Sequence, residues 1–266
     1  MFRNIFMEIR NIEENFFAVC RHWGSLNSSL IELEYISAMS TGVCVSDINW
    51  AWNEAPLDDE SLSRVQEIKE YYKRFDLRFE WWVYPAGQSP VTANILQNSG
   101  LRLFAKVPCM VAPLEDALPE IEHSGKITIS QVNSRKDLRL WKDISFNGFE
   151  MPSRTKKAYG AFVSTFIIDT TSPQKLFLAY WNGKPVSTSL VFTNQNSAGL
   201  YYISTLPEYR NKGCGRAITL ASMLYAKKCG FKGIALQATP SGEKVYVKAG
   251  FKEYCKAEIY KLQRSI

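Results

Sequence analysis

The chain has 266 residues, 46% hydrophobic and 13% aromatic, enough for one large or two ordinary packed domains and too apolar for an intrinsically disordered one. Six scattered cysteines without a Cys-x-x-Cys pair and only two histidines argue against a zinc or other metal site and for free thiols in a reducing compartment. No run approaches ~18 uninterrupted apolar residues, and the charged N-terminus lacks a signal-peptide core, so the chain reads as soluble, cytoplasmic and free of membrane.

The net charge of +6 hides a division: residues 1–125 carry 10 Lys+Arg against 18 Asp+Glu, and residues 126–266 carry 22 against 8. The acidic half and the basic half therefore differ in the partner they suit, and the second is fitted to an anion. Coenzyme A, with a pyrophosphate and a 3′-phosphate, is one such anion; a polynucleotide is the competing one, for which no recognition motif is present.

In chain order, Ile12, Phe16, Phe17 and Val19 predict an amphipathic helix over 11–22, and the alternation of 31–36 predicts a strand. A polar loop is expected over 53–59, a helix over 60–74, a strand over 78–84 closed by Pro85-Ala86-Gly87, a short helix ending at Gly100, and a strand from Leu101 toward Met110. Residues 113–125 read as a linker, so the domains are taken as 1–122 and 123–266. Beyond it come a strand at 126–129, a helix capped by Ser134 and broken at 147–152, a second helix over 155–168, and two strands, 175–180 and 185–192, joined by the hairpin signal Asn182-Gly183. An aromatic strand at 200–206, a helix over 214–229 stopped by Gly230, a strand at 232–238, a short helix at 241–249 and a last strand at 252–262 complete the chain. Strand, Pro85-Ala86-Gly87, helix, Gly100-Leu101, strand in the first half parallels strand, Pro240-Ser241-Gly242, helix, Gly250-Phe251, strand in the second, which suggests tandem related domains.

The strand ending at Thr205 turns at Leu206-Pro207-Glu208-Tyr209 into Arg210-Asn211-Lys212-Gly213-Cys214-Gly215-Arg216 and then a helix. Glycines let successive N–H groups converge, and the helix N-terminus adds partial positive charge, so the loop suits a phosphate or pyrophosphate. It matches neither the dinucleotide fingerprint nor the P-loop. Cys214 is read as a small apolar filler rather than a reactive thiol.

Arg210 to Gly215 does resemble the Arg/Gln-x-x-Gly-x-Gly/Ala loop of the GCN5-related N-acetyltransferases (GNAT), and the strand and helix order of 126–266 is similar to theirs. The resemblance implies an α+β fold with a mixed, mostly antiparallel sheet flanked by helices, a second half that is catalytic, and a first half that is a degenerate copy, acidic at 53–60 where the second half has its glycine loop. It also implies acetyl-CoA as cosubstrate, with pantetheine along Ile203, Ser204 and Thr205, phosphates on Arg210, Asn211, Lys212, Gly213, Cys214, Gly215 and Arg216, and Tyr246, four residues before Gly250-Phe251, as acid for the departing thiolate. Thr239 stands where the family often has asparagine. Leu96 replaces this tyrosine in the first half.

For the base no residue is chosen: Glu150 lies in the break that covers the acceptor site in the family, a place to bind or deprotonate an amine, but exposed carboxylates are the rule and it reads first as a solvated loop glutamate. Trp81, Trp82 and Tyr84 are candidates to wall the acceptor groove or are buried sheet aromatics. The resemblance implies N-acetyl transfer to a primary amine of a small molecule or peptide, with no nucleic acid and no membrane as partner; the alternative is a non-catalytic acyl-CoA-binding protein.

Overall fold

A computed structural model of the chain describes residues 2–115, 118 and 125–263. Its elements are α1 (Phe2–Leu26), β1 (Ile31–Leu33), β2 (Ile36–Met39), β3 (Trp50–Asn53), α2 (Ser61–Arg74), β4 (Glu80–Val83), α3 (Pro90–Asn98), β5 (Leu101–Pro113), β6 (Ile127–Gln131), α4 (Arg135–Gly148), α5 (Lys156–Ser164), β7 (Gln174–Trp181), β8 (Lys184–Thr193), β9 (Ala198–Thr205), α6 (Cys214–Lys228), β10 (Gly233–Gln237), α7 (Glu243–Lys248) and β11 (Lys252–Leu262).

The chain divides into two compact units, each assembled from three segments. One, here the N-half unit, comprises Phe17–Pro108, Lys157–Thr165 and Cys255–Ile266; the other, the C-half unit, comprises Met1–Phe16, Cys109–Lys156 and Phe166–Tyr254. The boundary expected at 122/123, with most of the expected linker, lies outside the described residues.

In the N-half unit the strand order is β1-β2-β3-β4-β11-β5. Its core gathers Ile36, Ala51, Val65, Ile68, Tyr72, Trp81, Leu96 and Tyr260. The expected single strand over 31–36 is instead a hairpin: Tyr35 takes φ +42 and returns the chain, so that Leu33 pairs with Ile36. The stretch that runs into the expected polar loop is β3, and it runs parallel to β4 over four residue pairs, Trp50↔Glu80 to Asn53↔Val83. Asn53 locks those strand ends, accepting from Trp81 Nε1 at 2.9 Å and donating to the carbonyls of Ala55 at 2.8 Å and Gly87 at 3.2 Å. Trp81, Trp82 and Tyr84 are buried in this sheet, so they carry its packing and offer no open aromatic face.

In the C-half unit the order is β5-β10-β9-β8-β7-β6, parallel between β9 and β10 and antiparallel in the other ladders. This is the expected α+β architecture with a mixed, mostly antiparallel sheet. The β7–β8 turn has φ +48 at Asn182 and +79 at Gly183, the two left-handed residues of a tight hairpin whose twist suits the flanking strands. Ser134 caps α4 by accepting the Asp137 N–H at 3.1 Å, and the helix buries Leu138 and Trp141, the indole donating to the Ser189 carbonyl at 3.1 Å. α6 buries Ile218, Leu220, Met223 and Ala226 in a core shared with Leu200, Leu236, Tyr246 and Phe251. The fold also uses its long strands across the repeat: β10 pairs with β5 through Cys109↔Gln237, whereas β11 pairs with β4 through Tyr260↔Trp81.

Candidate active site

The site is built at the C-terminal end of β9. β9 pairs with β8 through Ser187↔Thr205 and Thr188↔Ser204, but the register shifts before Leu190↔Tyr201, leaving one extra residue on β9. That bulge falls at Tyr202, whose φ is +51. On the opposite edge β9 meets β10 only at Ala198↔Ile234 and Ala235↔Gly199. The two parallel strands therefore part beyond Gly199, and Ile203, Ser204 and Thr205 lie past the last paired residue. The contrast with β3 and β4, paired over four residues and tied at their ends by Asn53, is the physical difference between the two halves.

A cluster of hydroxyls fixes the end of β9. Ser187 Oγ donates to the Ser204 carbonyl at 2.5 Å and lies 2.9 Å from Thr205 Oγ1; Thr188 Oγ1 donates to the Tyr202 carbonyl at 2.9 Å and lies 2.8 Å from Ser204 Oγ. The sequence reading missed Ser187 and Thr188; consecutive hydroxyls in an otherwise apolar strand were the available signal. α4 ends against the same point: a Cβ on Gly148 would stand 2.7 Å from Ser204 Oγ, so only glycine permits that approach.

The loop follows. Asn211 has φ +61 and Gly213 φ +85, a double left-handed turn that reverses the chain into α6 and leaves the first N–H groups of the helix without intrahelical acceptors. At Gly215 an added Cβ would sit 3.5 Å from Thr205 Oγ1, ordinary contact, so the fold itself does not demand glycine there. Cys214 is buried, and burial pushes its thiol up, the behaviour of a packing residue. Lys212 is exposed, its ammonium 4.8 Å from the centre of the Tyr209 ring. Arg216 lies in the first turn of α6.

Arg210 is exposed and folds back over the loop. Its Nη2 donates to Glu150 Oε2 at 2.8 Å and to the Gly148 carbonyl at 2.9 Å, and its Nε to the Thr205 carbonyl at 3.2 Å. Glu150, at φ +51, ends α4 and is thereby held beside the loop.

Thr239 follows β10; it is exposed, its Oγ1 3.2 Å from Ser241 Oγ, and its carbonyl accepts the N–H groups of Gly242 and Glu243 to start α7. Tyr246 is buried, its ring 5.9 Å from that of Phe251 and folded back over Gly242, where a Cβ would stand 2.6 Å from the ring. Burial pushes its phenol well above the ordinary tyrosine value, so it is protonated at neutral pH. Its hydroxyl has no hydrogen-bond partner among the described residues. The structure thus gathers Ile203 to Thr205 and 210–216 around one strand end, with Thr239 and Tyr246 on the element that follows the adjoining strand.

Residues 155–262 match the model of the acetyltransferase (GNAT) domain. Over that stretch, less than half of its length, the chain is similar to the acetyltransferase (GNAT) domain. Solved structures similar to it include a GCN5-related N-acetyltransferase from Kribbella flavida, with TM-score 0.70, 16% identity, and coverage of 94% of this chain and 96% of that one. One from Sphaerobacter thermophilus has TM-score 0.61 and 16% identity over 87% of this chain and 78% of its own. A tandem GNAT protein from the clavulanic acid biosynthesis pathway has TM-score 0.54 and 12% identity over 87% and 79%. At these identities the likeness is one of fold, and it extends across both halves of the chain. No curated protein sequence matches. The GNAT domain match runs from α5 to β11 and so includes β9, the glycine loop and α7.

Proposed function

We propose that the GNAT domain transfers an acetyl group from acetyl-CoA to a primary amine of a small molecule or peptide, by direct attack of the amine on the thioester. The observation that carries this reading is the parting of β9 from β10 immediately before the left-handed turn at Asn211 and Gly213. An extended amide chain such as pantetheine fits beside a strand end whose neighbour has diverged, and its pyrophosphate fits the turn and the α6 N-terminus. Ile203, Ser204 and Thr205 are the strand positions for the first role; Arg210 to Arg216 form the loop for the second, with Thr239 at the far side. Acetyl-CoA supplies the activated acyl group.

In the reaction the amine nitrogen bonds to the carbonyl carbon, the C–S bond breaks, and the proton lost by nitrogen balances the thiolate that leaves. Tyr246 is the hydrogen-bond donor in this reading. Its phenol holds its proton more tightly than a thiol of pKa about 8.5 does, so it stabilises the departing thiolate by a hydrogen bond. Glu150, paired with Arg210, is placed to bind the incoming ammonium rather than to act as an unencumbered base. The N-half unit, with its closed β3–β4 pair, supports the domain without a coenzyme site of its own.

A second reading, an acyl-CoA-binding protein without turnover, draws on the burial of Tyr246, which equally suits a packing residue. Thiol release from acetyl-CoA against a panel of primary amines separates the two. The transferase reading expects amine-dependent release that falls roughly 100-fold or more in Tyr246→Phe, the range of a positioned proton donor. Coenzyme binding without release under any amine supports the binder.

A further inference from the structure

We propose that Thr188 is a positioning residue for the acyl transfer: its hydroxyl, with the Trp141 indole, holds the bulge at Tyr202 and so sets which backbone groups of β9 face the edge that β10 has left. The proposal rests on the transferase reading above and adds to it a residue that touches neither substrate.

The bulge is a strained piece of backbone. Ser189 stands opposite both Tyr202 and Ile203, because the pairing steps from Thr188↔Ser204 to Leu190↔Tyr201. Tyr202 has φ +51, in the left-handed region that a bulky residue rarely occupies. Such a conformation persists only where its surroundings hold it. Here they do so from both strands: Thr188 Oγ1 donates to the Tyr202 carbonyl at 2.9 Å, and the Trp141 indole donates to the Ser189 carbonyl at 3.1 Å. The Tyr202 ring packs against that of Trp141 at 5.4 Å and that of Phe149 at 5.8 Å. Thr188 and Trp141 are both fully buried.

A hydroxyl has one proton to give. That of Thr188 lies on the Tyr202 carbonyl, so the 2.8 Å contact with Ser204 Oγ is a bond that Ser204 donates. In the same way Ser187 gives its proton to the Ser204 carbonyl and accepts from Thr205 Oγ1. The carbonyls of Tyr202 and Ser204 are therefore both taken on the β8 side. Alternate residues of an antiparallel strand turn their backbone groups to alternate edges, so those of Ile203 face away from β8, toward the side from which β10 has parted. A slip of the bulge by one residue would exchange the two edges. A valine at position 188 has nearly the shape of threonine and no proton to give, so it frees the Tyr202 carbonyl without emptying the site. The acyl carbon is then held off its line to the amine, and a misplacement of about 1 Å can cost about 100-fold in rate. The loop from Arg210 to Arg216 is untouched by the change, so coenzyme binding should alter little.

The test is amine-dependent thiol release from acetyl-CoA by the full chain, by Thr188→Val and by Thr188→Ser, with calorimetric titration of acetyl-CoA and thermal melting of each. The acceptor is the member of a panel of primary amines that gives the intact protein its fastest release. In Thr188→Val, kcat is expected to fall roughly tenfold or more while the dissociation constant of acetyl-CoA stays within about threefold. Thr188→Ser keeps the hydroxyl and is expected to recover most of the rate. A residue that only packed would change the melting temperature and show neither the split nor the rescue. Where Thr188→Val does not melt cooperatively, Trp141→Phe, which removes the indole N–H and keeps an aromatic ring, is measured in its place with the same split expected. A kcat in that variant within about twofold of the intact protein's, an acetyl-CoA affinity that falls in step with the rate, or no recovery in Thr188→Ser overturns the proposal and leaves the transferase reading standing. Absence of release from the intact protein with every amine overturns the two together.

Discussion

The Arg210 guanidinium is bonded to the Glu150 carboxylate at 2.8 Å, joining the glycine loop to the residues that follow α4. The same side chain holds the carbonyls of Gly148 and Thr205. The first residue of the loop pattern is therefore used as a clasp. Both partners of the ion pair are well exposed, so the pair itself contributes under about 1 kcal/mol. Glu150→Gln is expected to change thermal stability little, whereas Arg210→Ala, which releases two backbone carbonyls as well, is expected to cost roughly 1–2 kcal/mol. Denaturant melts of the two variants check the order; equal losses would show that the backbone contacts contribute nothing.

The two loop glycines are expected to behave differently. Gly213 at φ +85 adopts a conformation that costs an L-residue roughly 1–2 kcal/mol, so Gly213→Ala should lower stability by that amount. Gly215 has room for a methyl group beside Thr205, so Gly215→Ala should stay within about 0.5 kcal/mol of the parent. Chemical denaturation of both decides the matter.

Asn15 is fully buried. Its amide donates to the Ser197 carbonyl at 3.2 Å and lies 3.1 Å from Ser197 Oγ, while its oxygen accepts from the Tyr201 hydroxyl at 2.8 Å. Asn15→Ala would remove these hydrogen bonds from a buried site, at a cost of roughly 1–3 kcal/mol. A melting temperature unchanged in that variant would contradict the account of how the first helix is fixed to the start of β9.

How much of this was legible in the sequence depends on how local each feature is. The loop, the Ser134 cap and the Asn182-Gly183 turn depend on a few neighbouring residues, and each could be read directly. The turn at Tyr35 was not legible, because the apolar alternation runs unbroken across it. β3 was hidden by flanking polar residues whose side chains, such as Asn49 and Asn53, are satisfied by distant carbonyls. The parting of β9 from β10, the bonding of Arg210 to Gly148 and Glu150 and the exchange of β5 and β11 between strand partners are products of long-range packing. No spacing in the chain announces them.

Glu80 is buried in the N-half unit beside Lys261 at 2.9 Å, with Trp82 Nε1 at 3.1 Å, and burial raises its carboxyl to about 7. Its folded value exceeds its unfolded one, so the folded state holds this proton more tightly. This group's contribution to stability is fullest below about pH 4.5 and declines as pH rises toward 7. The whole swing is at most about 3 kcal/mol. Glu80→Gln should flatten that part of the stability profile, and urea melts between pH 4.5 and 8 on both proteins measure it. An identical slope in the two would mean that other groups set the profile.

The central claim is that the loop between β9 and α6 holds acetyl-CoA. Calorimetric titration of acetyl-CoA into the intact protein and into Gly213→Asp/Gly215→Asp, with melting curves for both, tests it most directly. The account predicts saturable binding to the intact protein, a melting temperature that rises with ligand, and loss of both effects in a variant that still unfolds cooperatively. Absence of binding to the folded intact protein, or undiminished binding to the variant, would contradict it.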